Sequence, residues 1–359
     1  MTFDLYGVRA RREQLRERAR HPLFAEWWEH FLAECRARLD EPVWPDAGPS
    51  SEERHARAQA AAGQMETLAF AAALTEDERP GRRAAAILRE VALDPDPWMG
   101  PAHKHHYPEL DADLLVAERC KRFAATLSWA APWIEAEDRR LALDALRERG
   151  GGVIFTDAGR GAWWADAPNS NWCAVLMSGL GLAALALRES DPAAAEAWLD
   201  RAKGAVTRVL DLAAEEGAGI EGMGYWVYCF TSSLDLAEAL AAAEDGSLLA
   251  HPFWGRAAGF PLYFSLPDLS GWTNFGDCGY PGLGGSSLLY AVAAHTGDRR
   301  AQWLAHRIAR GKRSTTTCSA ATPRSPRSRP RRCPHAASSP ARTWPASDPG
   351  GSRTPSSLP

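Results

Sequence analysis

From Trp172 to Leu187 the chain runs for 16 residues without a charge, and the run holds the small residues Ser178, Gly179 and Gly181. A helix needs about 20 apolar residues to cross a bilayer. This run is therefore expected to be a helix buried inside a soluble fold, apolar nearly all round and covered on every side by other elements.

The rest of the body indicates what covers it. Ala, Leu, Arg and Glu dominate, and runs of alternating β-branched residues are almost absent before residue 260. Strong helix formers without strand alternation predict an all-α architecture. Helical periodicity recurs in pairs, at 8–20 with 23–39, 52–75 with 80–92, 111–130 with 136–148, 172–189 with 191–216, and 223–244 with 283–310. Some of these segments are amphipathic and others are apolar nearly all round. That alternation of outer and inner helices is what an incomplete (α/α) toroid of helical hairpins requires. A plain helical bundle is the other architecture open, and the absence of a fixed-period repeat argues against a solenoid.

Three stretches interrupt the helices: 94–110, 150–171 and 258–285. The last is too rich in Gly and Pro for a helix. Functional residues concentrate in long loops held by a rigid scaffold, so the site is expected there.

The composition changes at the end of the chain. Residues 1–312 read as one helical domain, whereas 313–359 are almost entirely Ser, Thr, Pro, Ala and Arg. Such a segment has too little apolar surface to offset its ordering entropy, so it is expected to be a disordered tail. The abruptness of the change is that of an out-of-frame translation of a GC-rich gene, and the biological end of the protein is expected to be missing. From Lys312 onward lie nine Lys and Arg and one acid, which leaves the preceding body with 32 bases, 44 acids and a net charge of −12. No nucleic-acid footprint remains in such a body. An acidic ligand would have to be held by local donors against the global field.

The seven cysteines are far apart and form no Cys-x-x-Cys pair. That spacing argues against a disulfide framework or a thiolate metal site, and no cofactor is called for. The first residues contain no apolar core segment. No signal peptide is visible, and a cytoplasmic location without membrane contact is the expectation. Oligomeric state is not legible.

Two motifs carry the chemistry: Trp163-Trp164-Ala-Asp-Ala-Pro-Asn169-Ser-Asn171-Trp172, and Glu221-Gly-Met-Gly-Tyr225-Trp226-Val-Tyr228 about fifty residues later. Amide, phenol and indole are the groups that handle an acidic carbohydrate. Each has a structural rival. Asn171 or Asn169, just before the apolar run, could be the N-cap of its helix. Tyr225 and Tyr228, three apart, could both be core aromatics, and Tyr228 is read as packing. The cluster His103-Lys104-His105-His106 has neither the helical nor the finger spacing of a metal site and reads as a polar loop, with His103 the member placed toward a ligand. Trp98, Trp163, Trp164 and Trp272 fall in the interrupting stretches, where exposed indoles would stack on sugar rings.

Together these motifs resemble the heparinase II/III family of polysaccharide lyases and its alginate-lyase relatives. Asp94-Pro-Asp-Pro-Trp98 through Asp111-Ala-Asp113-Leu114 and Asn274-Phe-Gly-Asp277 are also similar to it, and the resemblance covers about residues 8–312. It implies an α/α toroid joined to a β-sandwich domain, of which this sequence carries only the toroid. It further implies cleavage of uronic-acid polysaccharides by β-elimination. Asn171 falls on the position that neutralises the uronate carboxylate, and Tyr225 falls on the catalytic tyrosine. A proton-transfer partner would come from the β domain, so this chain is expected to be weakly active or inactive.

The residue types suit that reaction. Removing the proton from carbon 5 of a uronate puts charge into an enediolate, which neutral donors aimed at the carboxylate oxygens stabilise. A tyrosine can act as base and then acid where cationic groups lower its pKa. The acidic body favours an unsulfated uronan such as alginate. Two other functions stay open. A glycoside hydrolase would need two carboxylates flanking the bond; Asp166, Glu221 and Asp277 are available, although Glu221, beside a glycine turn, reads as a cap or supporting group. A glycan-binding fragment without catalysis is the other.

Overall fold

The computed structural model describes residues 4–22, 24–43, 50–213, 215, 217–273, 275–276 and 284–312. The expectations for residues 313–359 and for Asn274 and Asp277 lie outside these described residues. Regular structure among them is helical. Their single β feature is an isolated antiparallel bridge between Ser265 and Trp272.

Two short helices, α1 (Arg12–Ala19) and α2 (Ala25–Ala37), precede the long α3 (Ser51–Thr75) and its antiparallel neighbour α4 (Glu78–Leu93). A capping box starts α3, with the Ser50 side chain accepting from the Glu53 N–H and Glu53 reaching back to Ser50. Asp77 caps α4 with its side chain alone, accepting from the Arg79 N–H at 3.0 Å. After the short α5 (Pro101–His106) come α6 (Leu114–Trp129), α7 (Ala136–Ala145) and α8 (Gly151–Gly159). The buried helix expected from the uncharged run is α9 (Asn171–Leu187), followed by α10 (Pro192–Ala213) and α11 (Met223–Ala242). The described chain closes with α12 (Gly259–Phe264), α13 (Ser286–Thr296) and α14 (Arg299–Lys312).

Helices α3, α6, α9 and α11 pack side by side in that order, α4 lies against α3, and α10 lies against α9. Every residue of α9 from Cys173 to Leu185 is buried. Its small residues are there for contact: a Cβ added at Gly179 would lie 2.7 Å from Cα of Ala117, so the glycine lets α6 and α9 approach closely.

Two elements fill stretches that composition had marked as loops. Pro101 at the first turn, after Gly100, whose N–H is held by Asp113, starts α5 inside 94–110. Helix α8 starts in the Gly150-Gly-Gly152 run, where glycine is needed for packing: a Cβ at Gly151 would sit 2.4 Å from the Trp198 ring.

The contact between α6 and α11 is polar. Lys121 Nζ donates to Ser232 Oγ at 2.8 Å and pairs with Glu118 at 3.3 Å and Asp235 at 3.7 Å. Tyr228 donates its hydroxyl to Glu118 at 3.0 Å, so this tyrosine ties two helices together. Burial disfavours the charged form of Glu118, but Lys121, Arg122 and the Tyr228 hydroxyl outweigh it and hold the carboxyl below its usual range. For Asp235 burial wins over the pull of Lys121, and its carboxyl is pushed up to about 7. A carboxyl with a folded-state pKa above its unfolded value of about 3.9 favours folding only while protonated. Its contribution is complete below pH about 4 and is lost as pH rises toward 7. Asp235→Asn should therefore melt with the parent at pH 4 and above it at pH 8, by a margin that solvent screening of this one-third-exposed side chain keeps small. Identical melting of the two proteins at both pH values would show that Asp235 is not held in this way.

Candidate active site

The site is built around the first turn of α9. Ser170 caps that helix, its Oγ accepting from the Trp172 N–H at 3.3 Å. The cap is thus Ser170 and neither Asn171 nor Asn169. The more important contact comes from 50 residues along the chain. The Glu221 carboxylate accepts from the Asn171 backbone N–H at 2.6 Å, from Asn171 Nδ2 at 2.9 Å and from Ser170 Oγ at 3.2 Å. An anion at a helix N-terminus satisfies its orphan donors and meets the positive end of its dipole. Glu221 reaches that position because Gly222 turns the chain into α11 with φ +94°, a conformation that favours glycine.

The clasp revises the role expected of Asn171. The residue is 3% exposed, one amide hydrogen is committed to Glu221, and Oδ1 has no partner among the described residues. Asn171→Ala should lower stability by about 1–2 kcal/mol, the cost of leaving a hydrogen-bonded carboxylate short of a donor. A variant that melts with the parent yet loses turnover would show instead that the amide faces substrate.

Beside the clasp lies a pocket of about 380 Å³, lined by Pro168 and Asn169, by Leu212 of α10, by Ile220 and Glu221, and by Tyr225 and Phe230 of α11. Trp226 anchors its floor loop, donating Nε1–H to the Gly217 carbonyl at 2.8 Å. Tyr225 and Asn169, both singled out by sequence, therefore line the same pocket. Among the described residues, the lining contains Glu215 and Glu221 and no Lys, Arg or His.

On the other side of the same helix start is an aromatic cluster. Trp172 packs at 5.3 Å from Trp163, 5.8 Å from Tyr107 and 5.5 Å from the His103 ring. Trp163 is 44% exposed and is the indole that faces solvent. The His103 ring is fixed: Nδ1 lies 2.7 Å from Oδ2 of the wholly buried Asp113. Asp113 also accepts from the Gly100, Leu115 and Val116 N–H groups at 2.9–3.0 Å and caps α6. With Nδ1 so engaged, Nε2 is the ring atom left for a ligand.

Three tryptophans expected as sugar platforms are core residues instead. Trp98 is 1% exposed, with the Arg119 and Arg149 guanidiniums 5.2 and 5.6 Å from its ring. Trp164 and Trp272 are buried as well. Sequence reasoning passed over the packing of Tyr107 and His103 on Trp172, and it passed over Asp113 as the partner of His103. The last was detectable, since an Asp directly before an apolar helical run is an N-cap signal.

Of the carboxylates considered for hydrolysis, Glu221 is committed to α9, and Asp166 lies on the surface paired with Arg208 at 3.1 Å and Arg201 at 3.5 Å. Among the described residues no group of three or more His, Cys, Asp or Glu could hold a metal ion. No described helix is long and apolar enough to cross a membrane. The chain matches no family model and none of the curated proteins.

Proposed function

We propose that this chain is a polysaccharide lyase that cleaves uronic-acid-containing polysaccharide by β-elimination, and that its helices are those of an incomplete α/α toroid. In this reading α3, α6, α9 and α11 are inner helices, with α4 and α10 outside them. The observation that carries it is that Tyr225 and Asn169 line one pocket, beside the clasp by which Glu221 holds the start of α9.

Tyr225 takes the proton from carbon 5 and returns it to the leaving oxygen on carbon 4. Asn169 donates to the carboxyl oxygen as charge develops there, the role first expected of Asn171; one such donor is typically worth about 3 kcal/mol of barrier. Trp163, supported by Trp172 and Tyr107, stacks on a neighbouring sugar ring. His103 offers Nε2 to a sugar hydroxyl from a ring locked by Asp113.

Prolonged incubation with alginate, hyaluronan and heparan sulfate tests the proposal, with ultraviolet absorbance reporting the conjugated C4=C5 bond. Absorbance should rise on an unsulfated uronan. New reducing ends without absorbance would make the protein a hydrolase. Tight binding with no product from any polymer would make it a glycan-binding module.

A further inference from the structure

Helix α14 inverts the charge of the body it closes. Its 14 residues carry five Lys and Arg and no Asp or Glu, whereas the body before Lys312 has a net charge of −12. The inner face of α14 is fully engaged: Ala301, Leu304, Ala305 and Ile308 are buried, and His306 Nδ1 lies 2.7 Å from the Tyr290 hydroxyl of α13. The outer face presents a stripe. Arg300, Trp303 and Arg307 stand three and four residues apart, so they share one side of the helix.

Trp303 is 46% exposed, and the Arg307 guanidinium lies 5.4 Å from the centre of its ring. Arg300 is oriented by a two-pronged contact with Asp298, at 2.8 and 3.1 Å. That contact, and to a smaller degree Tyr263 of α12, holds the Arg300 proton more firmly than usual, which puts Tyr263 within electrostatic reach of the stripe. Tyr263 is 89% exposed. None of these side chains is among those lining the pocket beside the clasp.

An exposed indole between two guanidiniums matches two features of a uronan at once. The apolar C–H face of a sugar ring stacks on the indole, and carboxylates accept from the guanidiniums. Arg300 and Arg307 are about 10.5 Å apart along the helix axis, on the order of the length of a disaccharide, with Trp303 between them. A polyanion repelled by the rest of the body is drawn to this face. A neutral glycan would leave the guanidiniums unused.

We propose that the Arg300–Trp303–Arg307 face of α14, with Tyr263 at its edge, is a second carbohydrate site that holds an acidic polysaccharide outside the pocket. One ring lies on Trp303, and the carboxylates of its neighbours lie on Arg300 and Arg307. The inference rests on the reading above for the class of ligand and uses none of its chemistry. Such a site keeps the polymer on the protein between encounters with the pocket.

The test is affinity electrophoresis of the full chain through gels containing alginate, dextran or no polymer. Alginate should retard the parent and dextran should not. Trp303→Ala should raise the Kd for alginate at least about tenfold. Arg307→Gln should also weaken binding and reduce its sensitivity to salt. Both side chains are exposed, and a thermal melt checks that each variant is folded. No retardation of the parent, equal retardation by dextran, or parent-like binding by both variants would overturn the inference. Tighter binding of single-stranded oligothymidylate than of alginate at the same salt would overturn it by making the stripe a nucleic-acid surface. A dimer of the parent that Trp303→Ala dissolves, with alginate binding unchanged, would overturn it by making the stripe a protein interface. Retardation lost in Trp303→Ala, with no unsaturated product from any uronan, would keep this site and remove the lyase reading. Unsaturated product from alginate with retardation untouched by either variant would do the reverse.

Discussion

Tyr225→Phe should lower the rate of double-bond formation by about two to four orders of magnitude, the usual contribution of a positioned acid or base. The variant should still fold, and its loss of rate should far exceed its loss of stability. The substitution removes one hydroxyl from a half-buried ring and no packing volume, and the neighbouring Trp226 continues to anchor the loop through Gly217. Tyr228→Phe is the control. Its hydroxyl lies on Glu118 in the α6–α11 contact, so this variant should lose stability. If Tyr225→Phe turned over normally while Tyr228→Phe did not, the proton would be moving through the wrong tyrosine in our account.

Glu221→Ala should be the most damaging single change for stability at the site, costing about 3 kcal/mol in chemical denaturation. It leaves the Asn171 N–H, the Asn171 amide and the Ser170 hydroxyl without their shared acceptor. Buried donors left unsatisfied cost about 1–3 kcal/mol each, partly recovered as water or neighbouring groups adjust. The same change should reduce elimination, because the clasp fixes the start of α9, next to Asn169, against the Gly222 turn that aims Tyr225. A loss below about 1 kcal/mol would mean that the clasp does not hold the two motifs together.

Much of the helical layout was legible because it depends on local pattern. An uncharged run with small residues can only be an enclosed helix, and α9 is one. The less accurate readings share one cause, that burial is decided by distant partners. Glycines at 150–152 read as a break until the Trp198 ring is seen lying against Gly151. Trp98 read as a platform because its neighbours in sequence are polar and prolines, yet Arg119 on α6 and Arg149 enclose it. At Asn169-Ser-Asn171 three polar residues compete for one cap, and local propensity does not choose among them. Ser170 fills that position, while Glu221, 50 residues on, binds the N–H of Asn171. The motifs that suggested a sugar-handling site were readable; which of their side chains face outward was set by packing.

The central claim is elimination at a uronate, and the most direct measurement is the mass of the products formed in water enriched in oxygen-18. The account predicts oligosaccharides whose new non-reducing ends are lighter by one water than hydrolytic fragments, with no oxygen-18 at the cleaved bond, and it predicts that they disappear with Tyr225→Phe. Fragments of full hydrolytic mass carrying one oxygen-18 would show that water, and not Tyr225, attacks the substrate, and the lyase assignment would fall.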